Sequence, residues 1–236
     1  MSLFLFAVTL ILAYFIGSLP FGVVIVRLMS GKNIREVGSG RTGGTNAMRA
    51  AGFGAGLLTA LLDILKGTFA VWLAGTLTGG NHWAETLAGV TTVFGHNYSI
   101  FLAERVKHEN GKTQLRFGGG AGGAPSVGAA TGLWPWSALI IVPLAATILF
   151  GIGYASVATM SAGLIATGIF LVRAAFFDAP WEYTAYGILI FILQVWALRP
   201  NIRRLIDGTE RRIGLPVWLA KRRQARLAAD SGNHSE

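Results

Sequence analysis

Over most of its length this chain alternates long apolar stretches with short polar connections, and that alternation leaves few folds open to it. A helix rises about 1.5 Å per residue, so about 20 apolar residues cross a hydrocarbon core about 30 Å thick. Several windows here approach that length. Of 236 residues, 53% are hydrophobic and 13% charged, and the mean hydropathy of +0.54 is too high for a soluble domain of this size. Apolar and polar residues do not alternate with period two, which argues against a β-barrel. The expected fold is all-α: a polytopic membrane helix bundle.

Seven spans are predicted, at residues 3–29, 54–77, 83–102, 126–134, 137–152, 156–176 and 183–198. The fourth is short and glycine-rich; it either begins earlier, near Ala121, or is a re-entrant piece folded back at Pro135, so a six-span count stays open. Lys and Arg near span ends are retained on the cytoplasmic side. The segments after spans one, three and seven carry Lys32, Arg35, Arg41 and Arg49, then Arg105, Lys107, Lys112 and Arg116, then nine cations from Arg199 to Arg226. The connections around Asn81 and Asp178 carry none, with Arg173 near the outer end of span six as the exception. This puts the N-terminus outside and the C-terminus in the cytoplasm, a parity that seven spans satisfy. The first span lacks a basic n-region and a cleavage site and reads as retained. Gly17, Ser18, Pro20 and Gly22 within it predict a kink or the close approach of a neighbour.

The net charge of +9 invites a nucleic-acid partner, but about half of the surplus lies in a juxtamembrane tail. Basic side chains there meet anionic head groups at about 1 kcal/mol each. Lys221, Arg222 and Arg223 suit a lipid surface, and no base-stacking aromatic pattern accompanies them, so membrane lipids are the expected partners and nucleic acid is not. Residues 1–214 are expected to form the membrane domain and 215–236 a basic cytoplasmic tail, with a short amphipathic surface helix and a disordered end. The absence of cysteine excludes disulfides, thiolate metal sites and thiol nucleophiles.

Residues 32–49, KNIREVGSGRTGGTNAMR, pack four glycines, three hydroxyl residues, Asn46 and four cations into eighteen positions. Glycine lets consecutive N–H groups converge without a Cβ clash, so the run suits wrapping an anion. Between membrane spans, it points to a phosphorylated substrate handled at a bilayer surface. Ser39, Gly40, Thr45, Asn46 and Arg49 are the candidate phosphate-binding residues. Arg49 stands first, because arginine holds phosphate bidentately whereas lysine acts as a point charge. Its competing role is to anchor a helix end in lipid phosphate. Ser39 and Asn46 have a competing role as turn or N-cap residues. Asp63 and Lys66, three apart on a predicted helix, share a face that must point inward, since a lipid-exposed charge is costly. They serve either catalysis or, the preferred reading, a helix-locking ion pair. His96 is either a general base or, as preferred, a hydrogen-bonded structural residue.

Five ordered blocks carry a family resemblance: GSLPFG at 17–22, IREVGSGRTGGTNAMRAAG at 34–52, LLDILKG at 61–67, GHNYSIF at 95–101 and NIRRLIDGTERRIG at 201–214. Together they resemble the bacterial membrane acyltransferases that move a fatty acyl chain from acyl phosphate to glycerol 3-phosphate. The resemblance implies a seven-span, multi-pass enzyme of the bacterial inner (plasma) membrane, its active site open to the cytoplasm, making lysophosphatidic acid in phospholipid synthesis. It implies acyl phosphate and glycerol 3-phosphate as substrates, and no metal or cofactor. An acyl phosphate is already activated, so such a site must mainly bind and orient two phosphates. The resemblance also suggests that the substrate phosphate itself accepts the hydroxyl proton. Ser39 and Arg49 match family phosphate-pocket positions, Ser156 falls at another in the turn between spans five and six, and Asn201 matches one in the tail.

There are departures too. Where the family carries a lysine in a second glycine-rich signature, GGKGVAT, this chain reads GGAGGAP, with Ala121 in place of the lysine and Pro125 in place of the threonine. A family histidine before the tail asparagine falls at Leu198, and Arg41 and Thr42 stand where the family has asparagine and an apolar residue. An insertion at 104–115 bears Arg105, Lys107, His108 and Lys112; one of these, or Arg116, is a candidate to replace the missing charge. Two alternatives to an active acyltransferase remain open. One is a divergent paralogue that binds a phosphate ester or lipid. The other is a small-anion transporter, disfavoured because no internal repeat is visible and the cations cluster at one surface.

Overall fold

The computed structural model describes residues 2–107, 111, 113–214, 217 and 222. Its elements run α1 (Leu3–Ser18), α2 (Phe21–Ser30), a 3₁₀ turn (Ile34–Glu36), α3 (Gly44–Ala51), α4 (Phe53–Thr78), α5 (His82–Asn97), β1 (Ser99–Lys107), β2 (Thr113–Gly118), α6 (Gly123–Leu133), α7 (Ser137–Gly151), α8 (Ala155–Phe176), α9 (Trp181–Ala197) and α10 (Arg199–Ile206).

The expected first span is two helices. Pro20 has no N–H to donate and its ring clashes with the preceding turn, so α1 ends at Ser18 and α2 starts at Phe21. The Leu19 carbonyl freed at this break accepts from Phe21 N at 3.1 Å and from Lys66 Nζ at 3.0 Å. Taken together, α1 and α2 are long and apolar enough to cross a membrane, as are α4 and α8. The pair α9 and α10, bent by 66°, makes a fourth such unit.

A short helix, α6, occupies the centre. Its 11 residues span about 16 Å, half of a hydrocarbon core, and most of them are buried against α4, α5, α7 and α8. The predicted fourth span thus begins at Gly123, slightly before the expected residue 126. Val71, Val93, Val127, Ile141, Phe170 and Tyr186 form the principal core around α6. Tyr186 donates to the Ser126 carbonyl at 2.6 Å and Gln194 Nε2 to Ser126 Oγ at 3.0 Å, tying α9 to α6. At the crossing of α4 and α6 there is no room for side chains. A Cβ on Gly67 would lie 2.3 Å from the Pro125 carbonyl oxygen, and one on Gly128 only 1.9 Å from that of Ile64.

The expectation of a purely helical chain needs one correction. The third predicted span was to run to residue 102, but α5 stops at Asn97 and the chain enters an antiparallel hairpin, with Glu104 opposite Arg116 and Lys107 opposite Thr113. Ile100 and Phe101 favour a pleated surface as much as a membrane helix, so hydropathy alone did not separate the two. The tail cations Lys221, Arg223 and Arg226, with the surface helix and disordered end expected there, lie outside the described residues.

Gly128→Leu is expected to abolish the α4–α6 crossing, with loss of folded protein in detergent extracts. Gly168→Ala, where an added Cβ meets open space, is expected to leave the thermal midpoint equal or slightly raised. Size-exclusion profiles and thermal unfolding of both variants check this.

Candidate active site

The polar segment after α2 folds back on itself around one amide. Asn46, 2% exposed, accepts from Ser39 N at 3.1 Å through Oδ1. Its Nδ2 faces the carbonyls of Ile34, Val37 and Arg41 at 3.1, 2.9 and 2.8 Å. Asn33 starts the 3₁₀ turn by accepting from Arg35 N at 3.1 Å, and Gly38 and Gly40 take left-handed conformations that let the chain reverse. Thr42 N then donates to Gly119 O at 3.2 Å, joining this loop to the second glycine-rich stretch. The Asn46 side chain is spent on this scaffold; it shapes the cavity wall without offering free polar atoms to a ligand.

The cavity so formed has a volume of about 270 Å³. Ser39, Thr45, Arg49, Ser156 and Asn201 stand on its polar wall, and Phe53, Leu57, Leu149 and Phe150 on its apolar wall. Arg49 has no carboxylate within 4.0 Å among the described residues, and burial pushes its guanidinium pKa down from the ordinary value. Ser156, in the first turn of α8, is buried with a hydroxyl that has no partner among the described residues. A charged group and an unspent hydroxyl facing an apolar wall suit an amphiphile with an anionic head. Gly40 lies apart, on a second, more polar cavity of about 560 Å³.

Below the first cavity lies a buried ionic knot. Lys66 Nζ is 2.7 Å from Asp63 Oδ1, 3.0 Å from Leu19 O and 3.0 Å from His96 Nδ1, and lies 5.5 Å from the centre of the Phe21 ring. With Lys66 charged, a neutral His96 accepts at Nδ1 and carries its proton on Nε2. Gly120 packs against that ring so closely that a Cβ would lie 2.0 Å from Nε2. The ion pair therefore faces the interior, as expected, and joins α4 and α5 to the break between α1 and α2. Asp63 and His96 also reach the cavity wall.

The described cations of the insertion lie elsewhere. Arg105 and Lys107 are exposed on β1 and line neither cavity. Arg116, its side chain 72% exposed, sits 3.9 Å from Glu104 and borders the second cavity. His108 and Lys112 are outside the described residues. Four charged residues not expected in the site from the sequence line the first cavity: Arg41, Arg204, Glu210 and Arg211. The last two arrive on a strap after α10. There Ile213 N donates to Gly153 O at 2.9 Å and Arg212 Nε to the Tyr154 hydroxyl at 2.7 Å. Glu210 accepts from Arg204 Nε and Asn201 Nδ2, each at 2.9 Å. Arg41 sat in the glycine-rich signature itself, and its placement inside that motif was the available signal.

Fold and site together define an integral membrane helical protein with a cavity that is cationic on one side and apolar on the other. Residues 7–208 match the family model described as glycerol-3-phosphate acyltransferase. A glycerol-3-phosphate acyltransferase of Thermus thermophilus is 38% identical over 87% of this chain and 94% of its own. Glycerol-3-phosphate acyltransferase 1 of Deinococcus radiodurans is 39% identical over 88% of this chain and 96% of its own. The crystal structure of PlsY (YgiH), an integral membrane glycerol 3-phosphate acyltransferase, in its glycerol 3-phosphate form superposes with a TM-score of 0.74 at 32% identity. That comparison covers 91% of this chain and 98% of the crystallised one. This chain belongs to the glycerol-3-phosphate acyltransferase family.

Two outcomes test the scaffold. Asn46→Asp keeps the acceptor for Ser39 N but sets a carboxylate against three carbonyls, so it is expected to destabilise more than Asn46→Ala. Each unsatisfied buried group costs about 1–3 kcal/mol, and thermal unfolding ranks the two variants. For the knot, Asp63→Asn and Lys66→Met are each expected to cost about 3–5 kcal/mol, with the double variant recovering part of the loss, because each single change strands a buried charge. A double-mutant cycle measures that recovery.

Proposed function

We propose that this chain transfers a fatty acyl group from acyl phosphate to glycerol 3-phosphate, yielding lysophosphatidic acid and inorganic phosphate for phospholipid synthesis. The observation that carries this reading is the first cavity itself: Arg49, with no carboxylate within 4.0 Å among the described residues, and Ser156, whose hydroxyl has no partner among them, face an apolar wall in a chain of this family. The related PlsY has been crystallised in both a glycerol 3-phosphate form and a lysophosphatidic acid form, which are substrate and product of this reaction.

In this reading the acyl chain lies along Phe53, Leu57, Leu149 and Phe150, while Ser39, Arg49, Ser156 and Asn201 hold phosphate oxygens. The acceptor hydroxyl oxygen attacks the acyl carbonyl carbon, the bond from that carbon to the phosphate oxygen breaks, and phosphate leaves with the electron pair. A phosphate oxygen takes the hydroxyl proton, so the protein need only align the groups and balance the developing charge. Asp63, Lys66 and His96 hold the floor beneath.

The same reading has seven crossings, with the N-terminus outside and the C-terminus in the cytoplasm of a bacterial inner membrane. The one-sided cations support it, and the shortness of α6 is tolerable because protein surrounds it. Residues 1–214 then form the membrane enzyme, and 215–236 a basic tail on anionic lipid.

Phosphate release from acyl phosphate, measured on purified protein with and without glycerol 3-phosphate and with acyl-CoA as the competing donor, tests this directly. Acceptor-dependent release is expected from acyl phosphate, and Arg49→Ala is expected to lower kcat/KM by about 100- to 1000-fold. No turnover with either donor, read as phosphate from acyl phosphate and as free CoA thiol from acyl-CoA, in protein shown to be folded, would replace the reaction with simple binding of a phosphate ester or lipid.

A further inference from the structure

Arg41 reaches from the glycine-rich loop into the seam between three elements. Its Nη1 donates to Gly120 O at 2.9 Å and its Nη2 to Ala197 O at 2.6 Å, with Asn201 Oδ1 at 3.3 Å from the same nitrogen. All three partners are neutral oxygens. Among the described residues no carboxylate lies within 4.0 Å of the guanidinium. Glu210, the acid whose charge it feels, is already engaged by Arg204 and Asn201. Burial lowers the guanidinium pKa from its ordinary value, with Arg204 adding to that effect, yet arginine stays charged. A desolvated cation without a counter-ion is unfavourable until an anion arrives. Nε–H and the second N–H of Nη1 have no protein partner among the described residues.

Position gives that charge a use. Ser39, Arg41, Asn201 and Arg204 belong to the walls of both cavities, so Arg41 stands in the partition between the polar cavity and the half-apolar one. Its partner Gly120 immediately precedes Ala121, which faces the same cavity as Arg49 and Ser156.

We propose that Arg41 binds the phosphate of a phosphate-monoester substrate at the junction of the two cavities, as a second cation beside Arg49. The identity of that monoester as glycerol 3-phosphate rests on the acyl-transfer reading; the binding of phosphate does not. Holding the phosphate at the partition aligns a water-soluble acceptor, arriving through the polar cavity, with an acyl group lying along the apolar wall. The loop glycines 119 and 120 bring a carbonyl, not a cation, to this point, so the charge comes from the other side of the seam.

The test measures binding and turnover separately on full-length protein. Affinity for inorganic phosphate and for glycerol 3-phosphate is read by calorimetry on wild type, Arg41→Gln, Arg41→Lys, Arg41→Ala and the double variant Arg41→Ala with Ala121→Lys. Arg41→Gln keeps a donor for one seam carbonyl, so it separates charge from tethering. Neutral variants are expected to bind both probes about 10- to 100-fold more weakly, with Arg41→Lys between them and wild type. The KM for glycerol 3-phosphate is expected to rise with the dissociation constant, and Ala121→Lys, which returns a cation to the same cavity, is expected to restore part of the binding. Wild-type affinity in Arg41→Gln overturns the proposal, as does a wild type that binds neither probe. A wild type that binds phosphate through Arg41 but releases none from acyl phosphate leaves this assignment standing and overturns the acyl-transfer reading alone.

Discussion

The position of Lys66 depends on a defect in a helix. Pro20 interrupts the first membrane-length segment, and the Leu19 carbonyl exposed by that interruption is one of three oxygen or nitrogen ligands around the Lys66 ammonium. Asp63 supplies the neutralising charge from one turn earlier on α4, and His96 supplies a nitrogen from α5. A lone charge here would be prohibitive in a low-dielectric interior, and so would an unsatisfied backbone carbonyl. Each meets the other's requirement. The knot fixes the relative depth of α1, α2, α4 and α5, and Gly120 rests on the far side of His96.

The anion-receptive loop is built on that fixed floor. Asn46 gathers the carbonyls of the turn before α3, and this leaves Arg41 and Arg49 to line one cavity. The strap after α10 closes the opposite wall through Glu210 and Arg211. The site is thus made of polar segments brought together over a rigid apolar bundle, with apolar side chains of α4 and α7 completing it. An enzyme joining an acyl chain to a soluble phosphate ester needs that juxtaposition, because its two substrates have opposite solvent preferences.

Much of this was legible in the residues. Hydropathy found the apolar segments that form α1 with α2, α4 and α8, since apolar runs of that length have few other uses. Ser39, Thr45 and Arg49 of one segment do line one cavity with the distant Ser156 and Asn201, and Asp63 and Lys66 do pair in the interior. Asn46 shows where motif reading loses resolution: amide-rich loops look alike whether the amide meets a ligand or the backbone. The hairpin after α5 was hidden because Ile100 and Phe101 suit strand and membrane equally. Arg41 was hidden for a different reason. Its role depends on Gly120 and Ala197, 79 and 156 residues away, and no local pattern reports such a meeting.

Arg41, in the glycine-rich loop, and Arg49, on α3 just after it, face one cavity floored by the buried ion pair, and a single phosphate is proposed to sit between them. A structure determined with glycerol 3-phosphate bound tests it most directly. The account predicts the phosphate in the first cavity, within charge-assisted hydrogen-bond distance, about 2.7–2.9 Å, of both guanidinium groups. A phosphate held against the exposed cations of the hairpin, with Arg41 and Arg49 still unoccupied, would contradict it.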